Sequence, residues 1–480
     1  MITKNNEHNT HKTSKMNQQD LRRLEQESAY ATALLRSLQF SGVKFLRYFT
    51  VDLYNNVRCK VKPVDQLLVQ SNISLDHQLS VAEICYGGLP YSADAMTPGT
   101  GLDARNVLNI QPDLSSFRNL PYAPKSALIM GNLMNQYTGE PSPLCTRSLL
   151  QRVVQDAKHT HNIGFAVGVE LEFCLMSSLT DFADRSTFAN TISLNEQEDF
   201  LVDLYDQLKQ QYIEIETIHS ESGPGQLEVV LKYSKDPVQL ADSVILAQET
   251  IRAMAKKYAF RAIFLPKYDM MQAGNGMHVH MSIFDSTTGA PILSNDGGAG
   301  LSAKGASFVE GLLQHLPAIM GLTMPTVNSF RRVGPGCWTG SQLGWALEDK
   351  ESGVRVCSDL ATQEWNHVEV KFVDASCNIY LALAGLLSSG LDGVAQEWTL
   401  RPSLDEKTNA DDNSSCIPPR PLPENVMEAL QTLEKDDHLM KLMSPTMSQA
   451  YLVVRKHDAE ASISNGTSLQ DEVQAAYHRS

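Results

Sequence analysis

The feature that most restricts how this chain can fold is a two-residue alternation of ionisable and apolar side chains in short β-patterned stretches beyond residue 160. In Gly168-Val169-Glu170-Leu171-Glu172-Phe173 the two acids sit two apart, so in a strand both point to one face while Phe165, Val167 and Val169 occupy the other. The pattern returns with His278 and His280 in Gly276–Phe284 and with Glu369 in His367–Phe372. Strands are expected at these three places and at Ile213–Ile218, Gln226–Lys232 and Ala262–Leu265. Helical spacing predicts helices at Arg147–His159, Glu196–Gln211, Pro237–Lys257, Ala303–Leu316, Asn378–Ala395 and Glu424–Leu433. Strands with one apolar and one polar face, interleaved with amphipathic helices, make an α+β protein.

At 480 residues the chain exceeds the roughly 250–300 at which single cores stop growing, so at least two structural units are expected. Gln18–Leu38 carries Leu21, Leu24, Ala31, Leu34, Leu35 and Leu38 at helical spacing. Val43–Thr50 and Val57–Val61, separated by Asp52, Asn55 and Asn56, form a hairpin pattern. Ser71–Pro143, punctuated by Gly and Pro, reads as loop-rich with short strands, and Leu404–Cys416 as a solvated loop. The division this predicts is a polar tail and leading helix over 1–38, a small domain over 39–142 and a large domain over 143–480.

A net charge of −15 argues against nonspecific nucleic-acid binding, which needs clustered Lys and Arg. The eight cysteines include no CxxC pair, which points to a reduced, cytoplasmic chain without a zinc knot. The polar start lacks a signal-peptide core, and the most apolar run, Ile379–Leu387, is too short to span a membrane.

Four blocks carry chemistry. Besides Glu170 and Glu172, Glu221 and Glu228 flank the Gly223-Pro224-Gly225 turn, which lets both approach one point. Gly274-Asn275-Gly276-Met277-His278-Val279-His280 is a flexible loop running into a strand, and Asn328-Ser329-Phe330-Arg331-Arg332 is followed by Arg355. Taken alone, each block has an ordinary explanation: a solvated strand face, a satisfied core histidine, a surface basic pair. Together with Glu369 they supply six ligands, five carboxylates and one imidazole, a set that suits Mg²⁺ or Mn²⁺ rather than zinc. Arg suits carboxylate and phosphate because it presents a planar, permanently charged fork.

The wording and order of these blocks, with Asn378-Ile379-Tyr380-Leu381-Ala382 and Gly390-Leu391-Asp392-Gly393 after them, resemble the glutamine synthetase family over about residues 40 to 460. The resemblance implies a small N-terminal β-grasp domain, then a catalytic domain in which an antiparallel sheet flanked by helices cradles the site. It implies one Mg²⁺ or Mn²⁺ on Glu172, Glu221 and Glu228 and a second on Glu170, His278 and Glu369. It places glutamate at Arg332 and on the Gly274 loop, and ATP at His280, Ser282 and Arg355. The implied reaction passes through γ-glutamyl phosphate, which an amine then attacks. The implied assembly is a homo-oligomeric ring, a dodecamer of two hexamers.

Four positions depart from the family pattern. Ala273 stands where ammonia-using members carry Asn, and Trp338 where many carry the Glu that takes a proton from ammonium. Lys350 and Lys371 stand at positions usually held by Arg beside the reacting phosphate, and Trp338 borders the amine. These departures favour a ligase joining glutamate to a polyamine or monoamine. Two other readings remain open at this stage: an ordinary ammonia-using enzyme, and a catalytically silent structural or regulatory relative.

Overall fold

A computed structural model describes residues 18–69, 79–90, 94–295, 299–359, 361–405 and 422–480. The N-terminal tail and most of the expected Leu404–Cys416 loop lie outside the described residues. The helix expected at the start runs Gln18–Phe40, and the hairpin is the antiparallel pair Phe45–Val51 and Val57–Pro63. Phe45–Val51 also pairs in parallel with Ser126–Asn135. Two further strands, Val107–Pro112 and Ser80–Ala82, continue the small sheet, which is thus built around a parallel pair with antiparallel partners on each side. Alternation divides its faces: Leu46 and Tyr48 pack against Ala31, Leu35 and Leu38 of the first helix, whereas Phe49 and Val51 join the larger core.

The large unit is a nine-stranded sheet ordered 345–347, 354–358, 365–370, 279–285, 163–178, 226–234, 215–220, with 261–263 and 181–182 also paired to the long 163–178 strand. Every pairing is antiparallel except that of Trp345–Leu347 with Val354–Ser358. Phe165, Val167, Val169, Leu171 and Phe173 are buried together with helices Thr146–His161, Pro237–Lys257, Ala303–Thr323 and Ile379–Ala395. The apolar face is therefore closed by helices, and the ionisable face is left to form a site.

Some elements depart from expectation for identifiable reasons. The helix expected to stop at Leu316, before Pro317, continues to Thr323; proline removes one backbone bond, but Ala318, Ile319, Met320 and Leu322 are all buried and hold the turn. Strands Trp345–Leu347 and Val354–Ser358 and the helices Asp437–Met443, Pro445–Ser464 and Leu469–Arg479 were not expected. The strands are short, and the helices are announced by caps rather than by strong periodicity: Asp436, Ser444 and Ser468 each accept a first-turn N–H. No helix among the described residues is long and apolar enough to cross a membrane.

Candidate functional site

The four central strands bring the acidic blocks to one place. Glu228 faces Glu172 across the 226–234 and 163–178 pair, and His280 faces both Gly168 and Glu369. His278 sits at the centre: its Nδ1 lies 3.1 Å from Glu170 Oε2 and 3.3 Å from Glu369 Oε1, and its Nε2 lies 3.7 Å from Glu172 Oε1. Two of the groups with metal-ligand spacing among the described residues contain carboxylates. Glu170, His278 and Glu369 form one, and Glu221 and Glu228 form the other with His219.

Loops are locked onto this face by side-chain clamps. Gln226 Nε2 donates to Glu172 Oε2 at 2.8 Å and to the Gly274 carbonyl at 3.0 Å, while its Oε1 accepts from Gly223 N–H at 2.8 Å. One amide thus joins the Gly-Pro-Gly turn, the metal-facing strand and the 274–276 loop. Glu172 Oε2 also accepts from Gly276 N–H at 3.0 Å. A Cβ at Gly276 would lie 2.6 Å from His278 Nε2, and one at Gly274 would lie 2.7 Å from Arg332 Cγ. Both must be glycine for the loop to lie this close. Asn328 ties the start of the loop by a reciprocal pair with Lys267, at 2.7 and 2.9 Å.

Charge is distributed unevenly within the cluster. Burial works against ionising Glu170, yet hydrogen bonds from His278 and His280 outweigh it and hold its carboxyl below the ordinary range. Glu369 is held well below that range in the same way, by His278 first and then by Lys371 and His280. Burial pushes Glu172 up, and Glu228 is pushed up to about 9 by burial and by the charges of Glu170 and Glu172. His278 overcomes its own burial and rises to about 10 through Glu170 and Glu369. Protons on Glu228 and His278 thus offset negative charge that cannot coexist unscreened in a buried space. Five oxygen-bearing side chains and one imidazole that need protons to share a site fit a pair of hard divalent cations, which would take the place of those protons.

Arg332 is buried beneath the 274–276 loop. Its Nη2 donates to the carbonyls of Lys371 and Val373 at 2.8 and 3.1 Å, and its Nε has no partner among the described residues. A buried donor in that state calls for an acceptor. Burial lowers the guanidinium's proton affinity against the pull of Asp374 and Glu172. Arg355 Nε donates to Glu369 Oε2 at 2.5 Å, and Lys371 Nζ lies 3.3 Å from Glu369 Oε1. His280 and Ser282 lie two apart in the first half of the 279–285 strand, with His280 Nε2 3.0 Å from Glu170 Oε1. Trp338 is 56% exposed, with φ +57°, directly after a turn closed by Cys337 N–H on the Gly334 carbonyl. Lys350 is exposed, and its Nζ lies 5.9 Å from the centroid of the Trp338 ring. Sequence reasoning did not single out His219, whose Nε2 lies 3.0 Å from Glu221 Oε1 and 3.8 Å from Glu228 Oε1. Its place two residues before Glu221 in a strand was the available signal.

The sequence model of the glutamine synthetase catalytic domain matches residues 143–472. The chain belongs to the glutamine synthetase family. Among its relatives, type-1 glutamine synthetase 1 of Dictyostelium discoideum is 29% identical over 433 residues, covering 86% of this chain and 85% of that protein. Gamma-glutamylpolyamine synthetase GlnA3 of Streptomyces coelicolor is 32% identical over 364 residues, covering 73% of this chain and 77% of its own length. In fold, a solved glutamine synthase homologue superposes with a TM-score of 0.78 at 24% identity, over 91% of this chain and 98% of that one. A GmaS/ADP complex gives 0.74 at 21%, over 90% and 97%. The protein is therefore a glutamine synthetase-type ligase, from a family that uses ATP and divalent metal ions.

Proposed function

We propose that the chain joins glutamate, through its γ-carboxylate, to an organic amine at the expense of ATP. The observation that carries this reading is the exposed Trp338 with the Lys350 ammonium over its ring; by the sequence resemblance we assign it to the position where the family's ammonium-deprotonating Glu stands. The 32% identity to a protein named gamma-glutamylpolyamine synthetase supports it. In this reading Glu172, Glu221 and Glu228 hold one divalent cation and Glu170, His278 and Glu369 the other. When bound, such cations screen phosphate charge during phosphoryl transfer. Arg332 and the Gly274 loop orient glutamate. Its γ-carboxylate attacks the γ-phosphorus of ATP held near His280, Ser282 and Arg355, giving γ-glutamyl phosphate and ADP. The amine then forms the new C–N bond as phosphate leaves and the extra proton passes to solvent or a nearby base. Lys371, held by Glu369, and Lys350 supply positive charge at the rim.

A panel assay of phosphate release with ammonium, methylamine, ethanolamine, putrescine and spermidine tests the reading directly. An organic amine is expected to give the highest kcat/KM; ammonium ranking first would establish an ordinary glutamine synthetase, and no turnover with any amine would leave a silent relative. Arg332→Lys is expected to raise KM for glutamate by about tenfold or more while changing that for ATP little, because a point charge cannot replace the guanidinium fork. Equal losses for both substrates would remove Arg332 from the glutamate site. Millimolar Mg²⁺ or Mn²⁺ is expected to raise the melting temperature of chelator-treated protein by a few degrees, since a ligand at 100 times its Kd stabilises by about 2.7 kcal/mol. An unchanged melting curve by scanning fluorimetry would contradict the cation sites.

A further inference from the structure

We propose that His280, Cys357 and His367 form a third cation site, one that takes a soft divalent ion such as Zn²⁺ and is distinct from the acidic cluster. The strand register places them on the rungs next to that cluster: Cys357 pairs with His367, and Arg355 and His280 both pair with Glu369. Alternate residues of a strand share a face, so Cys357 lies on the side of Arg355, and His367 on the side of Glu369. One donor atom from each of the three lies within 4.8 Å of the other two. The imidazole rings are 5.1 Å apart and tilted by 51°, and Cys357 is buried.

The donor set defines the ion. It contains one sulfur and two imidazole nitrogens and no carboxylate, which is the reverse of the neighbouring cluster and selects zinc-like metals over Mg²⁺. Tetrahedral zinc, with bonds of about 2.0–2.3 Å, holds its donors on the order of 3.5 Å apart, so donors within 4.8 Å of one another would have to draw closer on binding. Two neighbours orient the imidazoles. His367 Nδ1 lies 2.6 Å from Asn366 Oδ1, which as acceptor leaves Nε2 with a free lone pair, and Glu170 Oε1 lies 3.0 Å from His280 Nε2. The nearby Arg355 guanidinium is already matched by Glu369 at 2.5 Å and by Glu348 at 3.7 Å. Coordination replaces the Cys357 thiol proton, which leaves to solvent, and a fourth position stays open to water. An ion here would crowd His280 and Arg355, so Zn²⁺ is expected to inhibit turnover at saturating Mg²⁺; this consequence, unlike the site itself, rests on the function proposed above.

Co²⁺ reports the site without any activity measurement. The metal-free wild-type chain titrated with Co²⁺ is expected to develop a thiolate-to-Co²⁺ charge-transfer band in the near ultraviolet. That band should be absent in Cys357→Ser and weakened in His367→Asn, with circular dichroism confirming that both remain folded; Cys357→Ala serves if the serine variant does not. In the assay, Cys357→Ser should keep its Mg²⁺-dependent turnover while the half-inhibitory Zn²⁺ concentration rises by at least about tenfold, since even the outer partners of a metal are worth roughly 10- to 100-fold in affinity. A charge-transfer band that survives in Cys357→Ser, or Co²⁺ bound to wild type without one, overturns the site. A Cys357-dependent band in a chain inactive with every amine would uphold the site and overturn the proposed function.

Discussion

Glu221→Ala is expected to lower nucleotide-dependent turnover by about 10³-fold or more, the several kcal/mol that a cation contributes when it polarises a phosphoryl oxygen. The same substitution should leave the chelator-treated protein as stable as wild type. Glu221 is only partly buried, and its contacts are local: Oε1 lies beside His219 Nε2, and Oε2 accepts from its own neighbour Ser222 N–H. Removing it also takes one negative charge from beside Glu228, whose carboxyl already binds its proton up to about pH 9 because of burial and the charges of Glu170 and Glu172. Loss of function without loss of stability separates a ligand from a structural carboxylate. Glu172→Gln makes the complementary test, since it keeps an acceptor for Gln226 and Gly276 and loses only the charge. If either variant turns over at the wild-type rate in saturating Mg²⁺, the acidic cluster is not the cation site.

What the sequence made legible follows from the physics of alternation. Glu170, Glu172, His280 and Glu369 each sit in a strand whose alternate positions are apolar, so period two alone put them on one face, with His278 one residue ahead of strand Val279–Asp285 continuing it, and the sheet register then brought them together. Arg332 was legible as a charge but not in its setting: that it is buried under Gly274 and bonded to the Lys371 and Val373 carbonyls depends on contacts between segments far apart in the chain. The same limit hid His219, Cys357 and His367. Cys357 lies in a strand of only five residues, Val354–Ser358, and gains its neighbours through pairing with Trp365–Val370. Helices such as Pro445–Ser464 show little amphipathic pattern because they pack on several sides, with Met447, Tyr451 and Val454 buried but interspersed with polar residues. The cap residues at their starts were the local signal that remained.

Trp338→Glu is expected to shift the chain's preference from organic amines toward ammonium by roughly two- to thirtyfold in the ratio of kcat/KM values, the range that a cation–π contact of about 0.5–2 kcal/mol allows. An ammonium pocket of the family type needs negative charge to hold the cation and a carboxylate to take its proton, and an indole offers neither. What the indole offers is a π-face, and in this chain that face already has an ammonium group over it: Lys350 Nζ lies 5.9 Å from the ring centroid. An alkylammonium head on a flexible stem can occupy the same position, with its methylenes against the exposed ring. Trp338 is also held with positive φ, a backbone state that costs a bulky residue energy, directly after the turn closed by Cys337 and Gly334. The ring is presented rather than buried, and a side chain left 56% exposed is a poor candidate for a packing role. Measuring kcat/KM for ammonium and for putrescine in wild type, Trp338→Glu and Trp338→Phe decides the point. The phenylalanine variant should keep the preference for the organic amine and the glutamate variant should lose it; if all three rank the amines alike, the ring does not select the acceptor.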